Sequence, residues 1–366
     1  MPKTLNLGTR FVLTFLVLFA LTACDKQVIP VDEDASAAEA PAAGKQKYDF
    51  TGQTMGTSYK VSVVSDPLDQ VTQQELAEAI KARAEEVNHA MSTYIADSDV
   101  TRISQAAANE PVSVSPMTVT VVKMAIEVAQ ASDGAFDPTV APLVALWGFG
   151  ADKSIEEPSP AQIREASARV DYRTLQVDEA ANTITKTKPD ISLDLSAIAK
   201  GFGVDQVASL LSERRYSDYM VEIGGEVVAH GTNLSGVPWQ IGIDKPVTGT
   251  MPGQQLEAVV ALSDRALATS GDYRNYRQSA GKRISHTIDP RTARPIAHKL
   301  ASVSVLAKDC MTADAYATAI NVLGDEEGMA LAESQGLETY LIIHDEGENF
   351  NEKMTPGFAR VLTHIK

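Results

Sequence analysis

Cysteine is nearly absent from this 366-residue chain, so a disulfide framework cannot hold it together. There are two, Cys24 behind an N-terminal leader and Cys310 far down the chain. If Cys24 carries lipid, Cys310 has no partner, and an exposed thiol is a liability in an oxidising compartment; Cys310 is therefore expected to be buried. Positive charge is also short: 32 Lys and Arg stand against 48 Asp and Glu, a formal net charge of −16. Nucleic acid is excluded as a partner, because binding its phosphates needs a basic face. An anionic small ligand would need local cations or a bound metal. The apolar run at residues 11–21 falls short of the ~18 residues of a spanning helix. No fixed-period repeat is present.

What the N-terminus does have is the layout of an export signal over residues 1–23: Lys3 and Arg10, the apolar run, then small residues up to Cys24. Removing Lys3 and Arg10 with it takes the charge to 30 − 48 = −18. Leu21-Thr22-Ala23-Cys24 resembles a bacterial lipobox, which implies cleavage and a lipidated Cys24; an ordinary signal peptide with an incidental Cys is the alternative. Lipid chains contribute ~0.8 kcal/mol per buried methylene, enough together to anchor a chain to a membrane. Asp25 resembles a retention signal, implying an inner-membrane lipoprotein on the periplasmic face. Residues 24–47, rich in Ala, Asp, Glu, Lys and Pro, read as a flexible tether, and 48–366 as the globular domain. With 44% hydrophobic residues, that domain can build a substantial core.

Periodicity predicts strands at 60–64, 175–177, 183–185, 191–193, 219–223, 226–230, 240–243, 258–262, 302–306 and 339–343. Helices are predicted at 74–91, from Ser115 as cap with Pro116 first to near Gly134, and at 203–214, 311–323 and 326–335. Strands occur both in runs and between helices. The fold class is therefore α+β, mixed sheets flanked by helices in one compact catalytic unit of two lobes, with the active site between them.

Four places carry chemistry. In LDLSAIAKGFGVD (193–205), a strand ending in Asp194 runs into a helix start with Ser196 as cap, Lys200, and two glycines that clear an approach. Bare amides at such a start favour anions, so polyphosphate is the first suspicion; a plain turn with a solvated Lys is the alternative. Asp314 and Thr318 are one helical turn apart, hard oxygen donors suited to Mg²⁺, with no His or Cys nearby to suggest zinc. A dipole-favoured Asp and a self-bonding Thr would look the same. His286 alternates with Ile284 and Ile288 in a strand ending at Asp289-Pro290 and is the natural general base. Ala135-Phe136-Asp137, after Gly134, could hold a planar ring. Gly224-Gly225 and 270–273 are turns by default; Trp147 and Phe149 are expected in the core.

Together these pieces resemble the ApbE family of FAD:protein FMN transferases. The matching segments are TMGTSY (54–59), STY (92–94), GAFDPTV (134–140), LDLSAIAKGFGVD, GGEV (224–227), TSGDY (269–273), HTIDP (286–290) and TADAYATA (312–319), in family order. The resemblance implies that FAD binds with Mg²⁺ and that its FMN half passes to a Thr or Ser hydroxyl of a target protein, releasing AMP. It implies flavin contacts at Met55, Tyr94, Ala135, Phe136, Asp137, Asp194, Lys200 and Ile288. Metal ligands would be the Ala197 carbonyl with Asp314 and Thr318, and His286 the base. Acceptors would be subunits of envelope redox complexes, of the sodium-translocating NADH:quinone reductase or RNF type. An FAD pyrophosphatase giving FMN and AMP, and a non-catalytic flavin-binding lipoprotein, are the competing readings.

Overall fold

The chain enters on a hairpin of β1 (Gln46–Thr54) and β2 (Thr57–Ser65), in which Tyr59, Val61 and Val63 turn inward with the two-residue period of a strand. The computed structural model describes residues 44–150, 157–247, 249–251, 253–271, 276–279, 282–345 and 349–364. The leader, Cys24, nearly all of the tether, and Asp272 and Tyr273 of the 269–273 motif lie outside them. α1 (Gln70–Met91) starts where the Asp69 carboxylate accepts the Thr72 N–H, and it buries Leu76, Ile80, Val87 and Met91 along one stripe. After α2 (Asp99–Gln105) and β3 (Val112–Ser113), α3 (Pro116–Ala131) opens on Ser115 as cap with Pro116 in its first turn, as the sequence predicts. α4 (Ala141–Leu146) and α5 (Pro160–Ser167) follow, then the predicted pair β4 (Leu175–Asp178) and β5 (Thr183–Lys186), joined by β3 in a small sheet.

Next come α6 (Ala199–Glu213), β6 (Asp218–Ile223), β7 (Glu226–His230), β8 (Trp239–Asp244), β9 (Leu256–Leu262) and β10 (Arg265–Gly271). Short strands β11 (Tyr276–Ser279), β12 (Lys282–Ser285), β13 (Ile288–Asp289) and β14 (Arg294–Pro295) lead to β15 (Leu300–Ala307). α7 (Cys310–Ser334), β16 (Glu338–His344), β17 (Phe350–Met354), α8 (Pro356–Ala359) and β18 (Leu362–His364) complete the described chain. The α+β class is borne out.

The main sheet runs β1-β2-β6-β7-β10-β15-β16-β17, antiparallel at every ladder. β15 is buried along its whole length, because both faces of the sheet are covered. Val303 and Val305 face the helical layer with α3 and α7, while Leu306 and Leu267 face the second sheet, β18-β9-β8, with Trp239, Val260 and Leu262. Each Val buried this way contributes roughly 1.5–3 kcal/mol, so the floor on which α7 lies is the part of the molecule least able to shift. Small residues at Ala266 and Ala268 of β10 let α7 approach that floor closely.

Three local expectations change. Residues 191–193 are no strand: Ile191 and Leu193 are buried alternately, but their backbone is held by side chains. Lys186 Nζ donates to the Ile191 carbonyl at 2.9 Å, and the Leu193 N–H donates to Ser104 Oγ at 3.0 Å. Ser196 does not cap α6, whose N-cap is Ile198; its hydroxyl donates to Asp194 instead. The strand expected through His286 breaks there, leaving His286 and Thr287 between β12 and β13. The two helices predicted in 311–335 are borne out: α7 is two helical stretches that meet at Gly324, whose φ of 82° and ψ of −170° break the helix between them. Cys310 is buried, as expected.

Candidate active site

α6 and α7 meet at a glycine. A Cβ on Gly201 would stand 2.3 Å from the Cys310 carbonyl oxygen and 2.8 Å from Asp314 Cβ, so no side chain fits between the helices there. The contact is sealed by two carboxylates in exchange. Asp314 of α7 accepts the Gly201 N–H at 2.9 Å, serving the first turn of α6 that Ser196 does not reach. Asp205 of α6 accepts the N–H groups of Cys310 and Met311, both at 2.8 Å, serving the start of α7. Burial pushes the Asp205 carboxyl up to about 7 in spite of those two amides.

Asp314 keeps its other oxygen, Oδ1, for the cleft, 3.6 Å from the Lys200 ammonium. Lys200 lies 2.8 Å from Glu226 Oε1 on its other side. Burial pulls the Lys200 ammonium down, but Asp314 and Glu226 more than offset it and hold the group charged. Glu226 is delivered by the Gly224-Gly225 turn, whose φ angles of 64° and 106° suit glycine, and is 3% exposed. Burial pushes its carboxyl well above the usual range, against the pull of Lys200. Its second oxygen, Oε2, is buried and, among the described residues, is hydrogen-bonded by no other residue.

These groups open into a cleft of about 950 Å³. Of the residues singled out from sequence, Tyr94, Ala135, Phe136, Asp137, Asp194, Ala197, Lys200, His286, Ile288, Asp314 and Thr318 all line it. Met55 is not among the lining residues; it occupies the β1–β2 turn at φ 48° and packs towards Gly203 of α6. Tyr94 is 77% exposed at the edge of the cleft that it helps to line. Phe136 and Ile288 supply buried apolar wall, and Phe149 stands edge-on to His286 with ring centres 6.4 Å apart. Trp147 is core, its indole N–H donating to the Ala293 carbonyl. Asp137 meets the cleft, but one carboxylate oxygen takes the Thr139 N–H and hydroxyl and the other the Tyr172 N–H, which fixes the loop. Among the described residues, no three of His, Cys, Asp and Glu gather closely enough to hold a metal by themselves.

Sequence reasoning missed Glu226 and Asp205. Both stood in the quoted segments GGEV and LDLSAIAKGFGVD, and the available signal was a carboxylate set among apolar neighbours of a predicted strand or helix.

The sequence pattern of the ApbE family matches residues 55–341. The chain belongs to the ApbE family. A curated relative named FAD:protein FMN transferase, from Haemophilus influenzae, is 43% identical over 87% of this chain and 92% of its own length. One of the same name from Vibrio cholerae is 41% identical over 86% of this chain and 92% of its own length. A solved structure, flavin transferase ApbE from Vibrio cholerae, superposes with a TM-score of 0.78 at 40% identity, covering 87% of this chain and 99% of that one. ApbE membership makes this chain an enzyme that transfers flavin, and the α6–α7 cleft is its candidate active site.

Proposed function

We propose that this ApbE-family chain binds FAD with Mg²⁺, splits its pyrophosphate, and joins the FMN half to a Thr or Ser hydroxyl of an acceptor protein, releasing AMP. One observation carries the reading: a lysine ammonium, a buried carboxylate with an oxygen left for the cleft, and the start of α6 converge in one cavity. The Asp314 carboxylate, Thr318 hydroxyl and Ala197 carbonyl form a hard-oxygen set that is incomplete by itself. That suits an ion which keeps waters and shares phosphate oxygens. Mg²⁺ bound there supplies neutralisation of the charge that grows on the bridging oxygen.

The chain's own residues do the rest. Lys200, held charged between two carboxylates, faces the phosphates. Phe136, Ile288 and Tyr94 hold the ring system, while Asp137 and Asp194 fix the loops that present them. His286, which also lines the cleft, accepts the proton of the acceptor hydroxyl as it attacks phosphorus in line. Cys24 as a lipidated N-terminus would tether this chemistry to the periplasmic face of the inner membrane. The acceptors proposed are subunits of envelope redox complexes of the sodium-translocating NADH:quinone reductase or RNF type.

The test is to incubate the protein with FAD, Mg²⁺ and a candidate acceptor and to weigh the acceptor. An FMN-sized mass gain supports transfer, free FMN and AMP with no gain points to a pyrophosphatase, and bound, intact FAD refutes both.

A further inference from the structure

Glu226 does more than its ion pair requires. Oε1 satisfies Lys200 at 2.8 Å, but among the described residues no other residue hydrogen-bonds the buried Oε2, in a residue only 3% exposed that lines the reaction cleft. Leaving a buried polar atom unmet is costly, and the turn that delivers it fixes its place. A Cβ on Gly224 would meet Thr57 at 2.8 Å and the Lys200 stem at 3.3 Å, so the turn, the lysine and the carboxylate are one packed unit. Apolar residues of similar size would fill the space at less cost, unless the oxygen meets something that arrives with substrate.

We propose that Glu226 is a substrate-binding residue whose Oε2 hydrogen-bonds a hydroxyl group of the bound reactants. A hydroxyl is the partner that suits this oxygen in either protonation state, since it both donates and accepts. A phosphate oxygen only accepts and would be repelled by the carboxylate. The inference rests on the flavin-transfer reading and concerns the two hydroxyl sources that flank the attacked phosphorus: the polyol chain of the flavin, bonded to it, and the attacking hydroxyl of the acceptor.

Two variants test it, Glu226→Met, which removes both oxygens at similar volume, and Glu226→Gln, which keeps a group able to bond a hydroxyl but not the charge on Lys200. Binding of riboflavin, lumiflavin and inorganic pyrophosphate is measured by fluorescence and calorimetry, and acceptor KM at saturating FAD by mass gain. If the polyol is the source, Glu226→Met weakens riboflavin by about 10- to 100-fold and leaves lumiflavin, which lacks the polyol, unchanged. If the acceptor is the source, riboflavin is unaffected and acceptor KM rises by a similar factor. In either case Glu226→Gln recovers most of the loss, and should Glu226→Met fail to fold, Glu226→Ala, which also removes both oxygens, supplies the same comparison. Loss confined to pyrophosphate in Glu226→Met, or a Glu226→Gln protein as weak toward riboflavin and acceptor as Glu226→Met, overturns the inference and leaves Glu226 only aiming Lys200. Wild-type protein that gives no mass gain on any acceptor sinks the transfer reading, while the riboflavin and lumiflavin comparison still judges Glu226.

Discussion

Gly201→Ala should separate the two helices that build the site. In an ordinary helix this change stabilises by up to ~1 kcal/mol, because alanine loses less backbone freedom. Here the new methyl would lie 2.3 Å from the Cys310 carbonyl oxygen, 2.7 Å from its carbon and 2.8 Å from Asp314 Cβ. The obstacle is backbone, so relief requires α6 and α7 to part by roughly 1 Å, at an overpacking cost of about 1–3 kcal/mol. Parting stretches the Gly201 N–H bond to Asp314, 2.9 Å as it stands, and a bond to a charged group is worth about 1.5–3 kcal/mol. The net expectation is a loss of about 2–5 kcal/mol in urea unfolding. Displacing Asp314 by that distance should also cost transfer on the order of 100-fold. Gly203→Ala is the internal control. Its methyl would meet chiefly the Met55 Cε at 2.7 Å, the free end of a flexible side chain, so stability should stay within about 1 kcal/mol of wild type. Equal stabilities and rates for the two variants would refute the argument that backbone contact at Gly201 sets the position of Asp314.

Asp314→Ala should abolish flavin transfer, and full activity with Mg²⁺ would remove Asp314 from the metal set. His286→Ala should bind FAD normally but transfer slowly; an unchanged rate takes His286 out of the proton path. Asp205 gives a pH signature. Its folded pKa of about 7 lies above the ordinary 3.8, so its proton is held more tightly in the folded state. Its contribution is full below about pH 4 and lost as pH rises to about 7. Stability of Asp205→Asn should accordingly fall less than that of wild type between pH 4 and 7, and parallel curves would contradict the buried carboxyl. Lys186→Met should lose about 2–4 kcal/mol, since it strips the Ser104 and Ile191 carbonyls of their donor; a chemical denaturation midpoint equal to wild type would show that the 191–195 segment needs no such clamp.

The amphipathic elements were legible because their cores are local. α1, α3, β6 and β7 announce a buried stripe by period, whereas β15 and β16, buried almost throughout, are legible as short runs of largely apolar and β-branched residues. β1 escaped notice because its side chains are largely exposed at the sheet edge, and β10 because alanines beneath α7 carry no strand signature. Residues 191–195 show the limit of period as evidence. Their alternation is real, but the buried Lys186 at the end of β5 and Ser104 from the distant α2 hold the backbone, and no pattern within the segment reveals that. Ser196 fails as a cap for the same reason, since the carboxylate that serves the first turn of α6 belongs to α7. Asp314, Thr318, Lys200 and His286 could be named from motif and chemistry. Glu226 could not, because GGEV draws the eye to its glycines and the partner that gives the carboxylate meaning is brought to it only by folding.

Charge explains why the cleft needs help from outside the chain. A protein with formal charge −16 must still draw in a dinucleotide whose bridge is itself anionic. The charged core of the cleft, Lys200 with Asp314 and Glu226, sums to −1 when both carboxylates are ionised and to zero when burial keeps a proton on Glu226. In neither state is the centre positive, so Lys200 alone cannot be the attractant; its charge is matched by the carboxylates that hold it. On the function proposed above, a divalent cation arriving with the nucleotide would reverse the sign to +1 or +2 and let the lysine face phosphate with field to spare. Nucleotide affinity should thus depend far more steeply on Mg²⁺ than on Lys200, and a Lys200→Met protein that still binds FAD in a Mg²⁺-dependent manner is the expected consequence.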